Sequence, residues 1–407
     1  MIASVLFFLL IATIPFGVIG RVTVFPSISL SIQDVFVFFI VISSAKSIVR
    51  TLWSKNTFIK LGFLFSFVGF LGIIFEARNI FEFISSVLYL LRLDFYLLFM
   101  IPLINIKKTT LKKLRIELLI AGLVFILLGY IQYAFYPNLR NLFYLGWDEH
   151  LYRLFSSLLD PNFAGALITL IILFYSTFFF ENFKNSRLLT RTLLLFAYAF
   201  MIPSLFLTYS RSAYIMFILA SLAFLFLARQ KKIILLFIAV FVVSLILLPK
   251  NFGGEGVKLL RTASIFSRQI EYNNAIKVFS EHPLIGVGFD SLRFVFERYG
   301  FVSQKDLLVS HAAAGVPNSY LFLLATIGML GFVIVVVFLY LAIRKIVGKM
   351  TEVPRYKTYS IAVVSSIAGI LVHSLFENTL FYAPIMLWLT LVLGIFLGLV
   401  KKKRLGF

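Results

Sequence analysis

Apolar runs of about twenty residues follow one another along this chain, separated by short basic links, and they leave it very few folds. The runs are long and continuous rather than alternating, so they read as bilayer-crossing helices and not as barrel strands. Composition agrees: 61% of the 407 residues are hydrophobic, 49 are Phe and only 14% are charged. A soluble core cannot bury that much apolar surface. The expected fold class is all-α, a polytopic membrane protein of about twelve transmembrane helices.

The runs fall near residues 2–20, 29–45, 58–75, 80–103, 117–135, 163–181, 190–208, 212–228, 232–248, 317–342, 358–377 and 380–400. Three parts follow: helices one to nine over 1–248, an extracytoplasmic loop over 249–316, and over 317–407 the last three helices with a basic cytoplasmic tail. The first run lacks a basic leading segment and a small-residue cleavage site, and reads as a retained span. With Cys 0, disulfides and a cysteine nucleophile are excluded. No internal repeat, low-complexity tract or soluble domain boundary is visible.

Charge placement tests the map. With the N-terminus inside, most of the 38 basic residues fall on inner links, from Lys46 and Lys60, through Lys107 and Arg115, to Lys401 and Arg404. That is the positive-inside pattern, and a miscounted span would scramble it. The net charge of +21 is thus mainly a topology signal; spread over short links, it does not make a nucleic-acid surface. The same map puts Arg153, Asp160, Asn162, Arg211, the 249–316 loop, His373 and Glu377 at the outer face, with every histidine. Polar chemistry gathered there suits a substrate met at the outer membrane surface and carrying a lipid tail.

Individual motifs sharpen this. Arg211, in TYSRSAY, stands at a span end, where a charge is costly and often functional; the alternative is a side chain snorkelling to headgroups. Arg261 and Arg268 are seven apart, and Tyr272, Ala275, Ile276 and Phe279 recur at helical spacing, which predicts an amphipathic helix in the loop. Its arginines either bind an anion or form a solvated face with Arg268 paired to Glu271. Arg92 and Asp94 fall mid-span and cannot face each other, so Arg92 needs a partner on another helix or contacts substrate. Gly286 and Gly288 predict a tight turn after the loop helix. The adjacent Asp148, Glu149 and His150 match no strong metal spacing, and no metal is expected. His373 and Glu377, four apart, read as a satisfied pair on one helix.

Four blocks now carry a resemblance: LDPNFAGALITL, LTYSRSAY, SRQIEYNNAIKVFSEHPLIGVGFDSLRF and PNSYLFLLATIGMLGF. In that order they resemble the O-antigen ligase and O-antigen polymerase family, integral-membrane glycosyltransferases with a GT-C type of architecture. The resemblance runs roughly from Arg153 to Gly398. It implies transfer or polymerisation of glycan repeats from an undecaprenyl-diphosphate carrier, at the periplasmic or outer face of the bacterial cytoplasmic membrane, without nucleotide sugar, cofactor or metal. The implied partners are the lipid-linked oligosaccharide, an acceptor (a second lipid-linked repeat or lipid A core) and membrane lipids.

One departure matters. The ligase pattern is His-Asn, nine residues, Gly, two residues, Gly. Asn318, Gly328 and Gly331 keep it, but Pro317 occupies the histidine position and cannot accept a proton. His311, six residues upstream, is the replacement base, with Glu271, Asp290 or Asp160 as carboxylate substitutes. The change favours polymerase over ligase. Breaking an anomeric bond to diphosphate releases a multiply charged leaving group, which guanidinium forks suit. Arg211, Arg268 and His311 are therefore the expected catalytic residues, and Arg153, Asn162, Arg261 and Asn318 the expected substrate-binding ones. A flippase is the competing class; it would carry midplane charges and related halves, and only Arg92 and Asp94 answer that description.

Overall fold

A computed structural model describes residues 2–25, 28–53, 56–248, 254–258, 263–303 and 315–404. The chain opens with α1 (Ile2–Thr13) and a small antiparallel hairpin of β1 (Arg21–Phe25) and β2 (Ile28–Ser31). Helices follow: α2 (Ile32–Ser43), α3 (Ala45–Leu52), α4 (Thr57–Glu76), α5 (Ile80–Leu98), α6 (Met100–Asn105), α7 (Lys108–Phe135), α8 (Pro161–Asn182), α9 (Leu188–Phe206), α10 (Arg211–Leu227) and α11 (Lys231–Ile246). The loop region holds α12 (Ala263–Glu281) and α13 (Leu292–Arg298), and the chain continues with α14 (Ser319–Glu352), α15 (Lys357–His373) and α16 (Ala383–Arg404). The hairpin corrects the all-α expectation locally.

Helices stand at each of the twelve predicted places, but seven among the described residues are long and apolar enough to cross a membrane, or eight if the pair α2–α3, bent by 71°, is one span. The shortfall is one of length. Helices α1, α10, α11 and α15 have 12, 17, 16 and 17 residues, which at ~1.5 Å per residue falls short of a bilayer core of ~30 Å. Three of them have ends set by polar or proline residues: Pro15 follows α1, Ser210 caps α10, and α15 stops at His373.

Two packed groups make the body. The larger surrounds α8, which is apolar on all sides and accordingly buried, and which contacts α7, α9, α10, α15 and α16. The smaller joins α4, α5, α12, α13 and α14 through Val68, Leu90, Val278, Phe289 and Ile327. A helix does stand in the predicted place, α12, but its apolar residues do not share one buried face: Ala275 and Val278 are buried, while Ile276 of the expected stripe and Ile265, Phe266 and Ile270 are exposed.

The smaller group contains a helix break filled by a loop. Gly328 in α14 has φ +66°, and the backbone groups it frees are taken up by the segment after α12. Met329 N–H donates to Pro283 O (2.8 Å) and Leu330 N–H to Leu284 O (3.1 Å), while Val287 and Gly288 N–H donate to Ala325 O (3.1 Å) and Thr326 O (2.8 Å). A helix can break at membrane depth only when its freed groups find such partners. Gly286 (φ +65°) and Gly328 are needed for the close approach, since a Cβ on either would meet the opposing backbone. The GVG motif is thus a turn, as predicted, and it leads straight to Phe289 and Asp290.

Candidate functional site

A cavity of about 570 Å³ lies between the two groups. Its wall combines the starts of α8 and α10, one face of α12, the middle of α5, residues 289–293 and the turn between α15 and α16. Six arginines and five carboxylates line it among the described residues, in two clusters.

The first cluster is built where α8, α10 and α12 meet. Asp160 caps α8, accepting from Asn162 N–H (2.6 Å) and Phe163 N–H (3.3 Å). Asn162 Oδ1 accepts from Ser210 Oγ (2.8 Å) and from Arg153 Nη2 (3.3 Å), and Arg153 Nε donates to Thr208 O (2.9 Å). Ser210 in turn caps α10. This network clamps the turn from α9 to α10, which contains Tyr209 at φ +50°, and so sets where Arg211 leaves the first turn of α10. Four more non-glycine residues with positive φ, His150, Tyr152, Ser156 and Leu159, cluster in the neighbouring loop. Such strain persists only where surrounding structure over-determines it, and it concentrates at functional sites.

Arg268 reaches the same wall from α12 and is electrostatically coupled to Arg211. Its Nη2 donates to Oε1 of Glu377, an ion pair between the loop helix and the turn after α15. That turn is stitched to the start of α14: Ser319 N–H donates to Ser374 O (2.8 Å), Asn318 Nδ2 to Leu375 O (3.1 Å) and Ser319 Oγ to Glu377 O (3.2 Å). Glu377 is thereby fixed against the start of α14, on the cavity wall that Pro317 also lines. Burial pushes its carboxyl up to about 8 although Arg268 pulls the other way. Glu271, one turn beyond Arg268, is pushed up to about 7, chiefly by burial. Burial also raises Asp148 and Asp160, against the pull of Arg153.

The second cluster gathers Arg21 from β1, Arg92 from α5 and Arg293 from α13 around Asp34 and Asp290. Arg92 Nε donates to Asp34 Oδ1 (2.8 Å), which also accepts from Tyr96 OH (2.8 Å). Asp34 is at the same time the third residue of α2 and closes its capping box, accepting through Oδ2 from the N–H of the N-cap Ser31 (2.7 Å). Phe163 and Tyr382, stacked at 3.8 Å, line the same cavity.

Four of the expected site residues, Arg211, Arg268, Arg153 and Asn162, share the first cluster. Asn318 does not line the cavity; its Oδ1 caps α14, accepting from Tyr320 and Leu321 N–H. Arg261 and His311 lie outside the described residues. Arg268 pairs with Glu377 instead of Glu271. Arg92 has its partner on another helix, Asp34, and Asp94 accepts from Ser66 Oγ (2.5 Å). Of the three residues in WDEH, Asp148 and His150 face the cavity while Glu149 pairs with Arg140. Among the described residues no group of three His, Asp or Glu side chains is placed to hold a metal ion. His373 and Glu377 are not a helical pair, because α15 ends at His373; the imidazole Nδ1 lies 2.6 Å from Thr379 Oγ1 instead.

Sequence reasoning missed Glu377 as a site residue and Arg21 altogether. A clue to Glu377 was available: it is an acid among apolar residues at a span end, the feature that singled out Arg211.

Residues 196–336 match the family model described as O-antigen ligase. The match covers Arg211, Arg268 and the first part of α14 with its break at Gly328, and it supports assignment to the O-antigen ligase and polymerase family and a function of that type. No curated protein matches the chain.

Proposed function

With residues 196–336 carrying the O-antigen ligase match as the premise, we propose that the cavity is the active site of a membrane glycosyltransferase acting on glycan linked to undecaprenyl diphosphate. The observation that carries this reading is the convergence of Arg211 and Arg268 on one wall beside a buried carboxylate. In the reaction an acceptor hydroxyl attacks the anomeric carbon, the bond from that carbon to the diphosphate oxygen breaks, and the lipid diphosphate leaves with the electron pair. Arg211 and Arg268 hold that leaving group, since guanidiniums keep their protons and offer two-pronged contacts. Fixed charges at the developing anion stabilise it better than reorganising water does.

The proton goes to Glu377. A carboxyl raised to about 8 is matched to proton transfer near neutrality. Its ion pair with Arg268 implies an exchange: diphosphate takes the guanidinium, and the carboxylate is released into the cavity that Pro317, at the histidine position of the ligase pattern, also lines. That substitution favours a polymerase, with a second lipid-linked repeat as acceptor, over transfer to lipid A core. The outer membrane face is the proposed side, following the basic inner links.

The test is purified protein in lipid nanodiscs with lipid-linked oligosaccharide, supplied alone or with lipid A core. A ladder of longer glycans without core supports polymerase; a product formed only with core makes it a ligase; movement of the lipid across vesicles without new glycan overturns the enzyme reading in favour of a flippase.

A further inference from the structure

The second arginine cluster has more positive charge than its surroundings answer. Arg92 is paired with Asp34 at 2.8 Å and Arg293 with Asp290 at a longer 3.4 Å. Arg21 has no carboxylate within ion-pair distance among the described residues. Arg293 is only 8% exposed, yet its buried Nε has no hydrogen-bond partner among the described residues, and neither has the buried Nε of Arg21. A buried donor left unsatisfied is costly, the more so when it is charged. All three guanidiniums line the cavity within electrostatic reach of Asp290. Asp290 itself sits at φ +59°, held there by the loop that plugs the break in α14. Structure that maintains strain and unanswered donors around an open cavity is poised for a ligand that answers them.

We infer that Arg21, Arg92 and Arg293 form a second oxyanion subsite, distinct from the one at Arg211 and Arg268, which binds an anionic group carried by the acceptor glycan. The stacked Phe163 and Tyr382 stand between the two: Tyr382 is within electrostatic reach of Asp160 in the first cluster and of Arg21 and Arg92 in the second. A sugar lying on that aromatic face would have an anion site at either end. The shared ligand chemistry is an oxygen anion with several acceptor lone pairs, whether the diphosphate of a second lipid-linked repeat or the carboxylate of an acidic sugar. This deepens the glycosyltransferase reading by giving the acceptor its own place.

Arginine-selective modification by phenylglyoxal, read residue by residue by mass spectrometry on the full chain in nanodiscs, tests the subsite without requiring transfer. Inorganic pyrophosphate and glucuronate serve as probes, against chloride at equal ionic strength. Pyrophosphate is expected to protect Arg21 and Arg293, and to do so equally in Arg268→Ala. Protection of these two by pyrophosphate alone identifies a diphosphate site; protection by glucuronate as well identifies a carboxylate site. Arg21→Gln, which leaves no buried carboxylate unpaired, should weaken protection of Arg293 about tenfold, the loss of one charge-assisted hydrogen bond, with Arg211 protected as before. Arg293→Lys provides a second variant that keeps the charge, and it should lose protection at Arg21. If neither probe protects Arg21 or Arg293 while Arg211 and Arg268 are protected, the subsite is overturned and the glycosyltransferase reading stands. If the protein makes no glycan but both clusters are protected, the reverse holds.

Discussion

Arg268 and Glu377, 109 positions apart, form an ion pair at the cavity wall and join the loop helix to the turn between the last two helices. In this arrangement Glu377 occupies the guanidinium that a diphosphate would need. In the proposed reaction, donor binding and release of the Glu377 carboxyl from Arg268 are therefore one event.

The first prediction is a pH dependence. Burial raises Glu377 to about 8, so below that pH only its ionised fraction can accept a proton, and that fraction shrinks as pH falls. The transfer rate should therefore climb as pH rises from 6 toward 8, whereas a glutamate at its ordinary ~4.3 would give a flat profile over that range. Glu377→Gln should lose about 10²–10⁴ in rate together with this slope. A pH–rate profile of the two proteins, at saturating donor, checks both points.

A second prediction concerns the clamp behind Arg211. Asn162→Ala removes the acceptor shared by Ser210 and Arg153. Freed from that tie, the turn from α9 to α10 should let Arg211 wander, and transfer should fall by roughly tenfold to a hundredfold, the equivalent of ~1.4–2.8 kcal/mol. Single-turnover assays resolve this, with thermal unfolding as the control that the helices remain packed.

Backbone geometry makes the third prediction. Gly328→Ala and Gly286→Ala each add a Cβ against opposing backbone at a positive φ, where nothing flexible can move aside. Each should destabilise the protein by at least ~1–3 kcal/mol and move Phe289 and Asp290 away from the cavity. Lower unfolding temperature with reduced protection of Arg293 from phenylglyoxal is the expected outcome.

Topology gives the fourth. Single cysteines at Ser303 and Asn185 should fall on opposite sides of the membrane, with Ser303 outside. An impermeant thiol reagent applied to intact cells should label the first and spare the second until the membrane is opened.

Much of the helical layout was legible because bilayer-length apolar runs and basic links are local signals, and so were α12 and Arg211 at a helix start. Helix lengths were less so: α15 looks apolar past His373, yet its end is set by bonds from Ser319 and Thr379 that join distant segments. The same holds for the site. Arg211 announces itself as a charge at the end of an apolar run and Arg268 as an arginine of the loop helix, while Glu377, which carries the same clue as Arg211, gains its partner only through the stitching of its turn to α14. Arg21 gains its meaning from Asp290, which reaches it on a loop held by the break at Gly328. No spacing in the sequence encodes those meetings.

The central claim is that Arg211 and Arg268 hold the departing diphosphate. It is tested most directly by single-turnover transfer from lipid-linked oligosaccharide in nanodiscs, comparing the parent with Arg211→Ala, Arg268→Ala and the two Lys variants, each first shown to unfold at the parental temperature. The account predicts a loss of about 10²–10³ for each Ala variant, as when a fixed oxyanion donor is removed, and poor rescue by Lys, which lacks the two-pronged geometry. Parental rates in both folded Ala variants would contradict it.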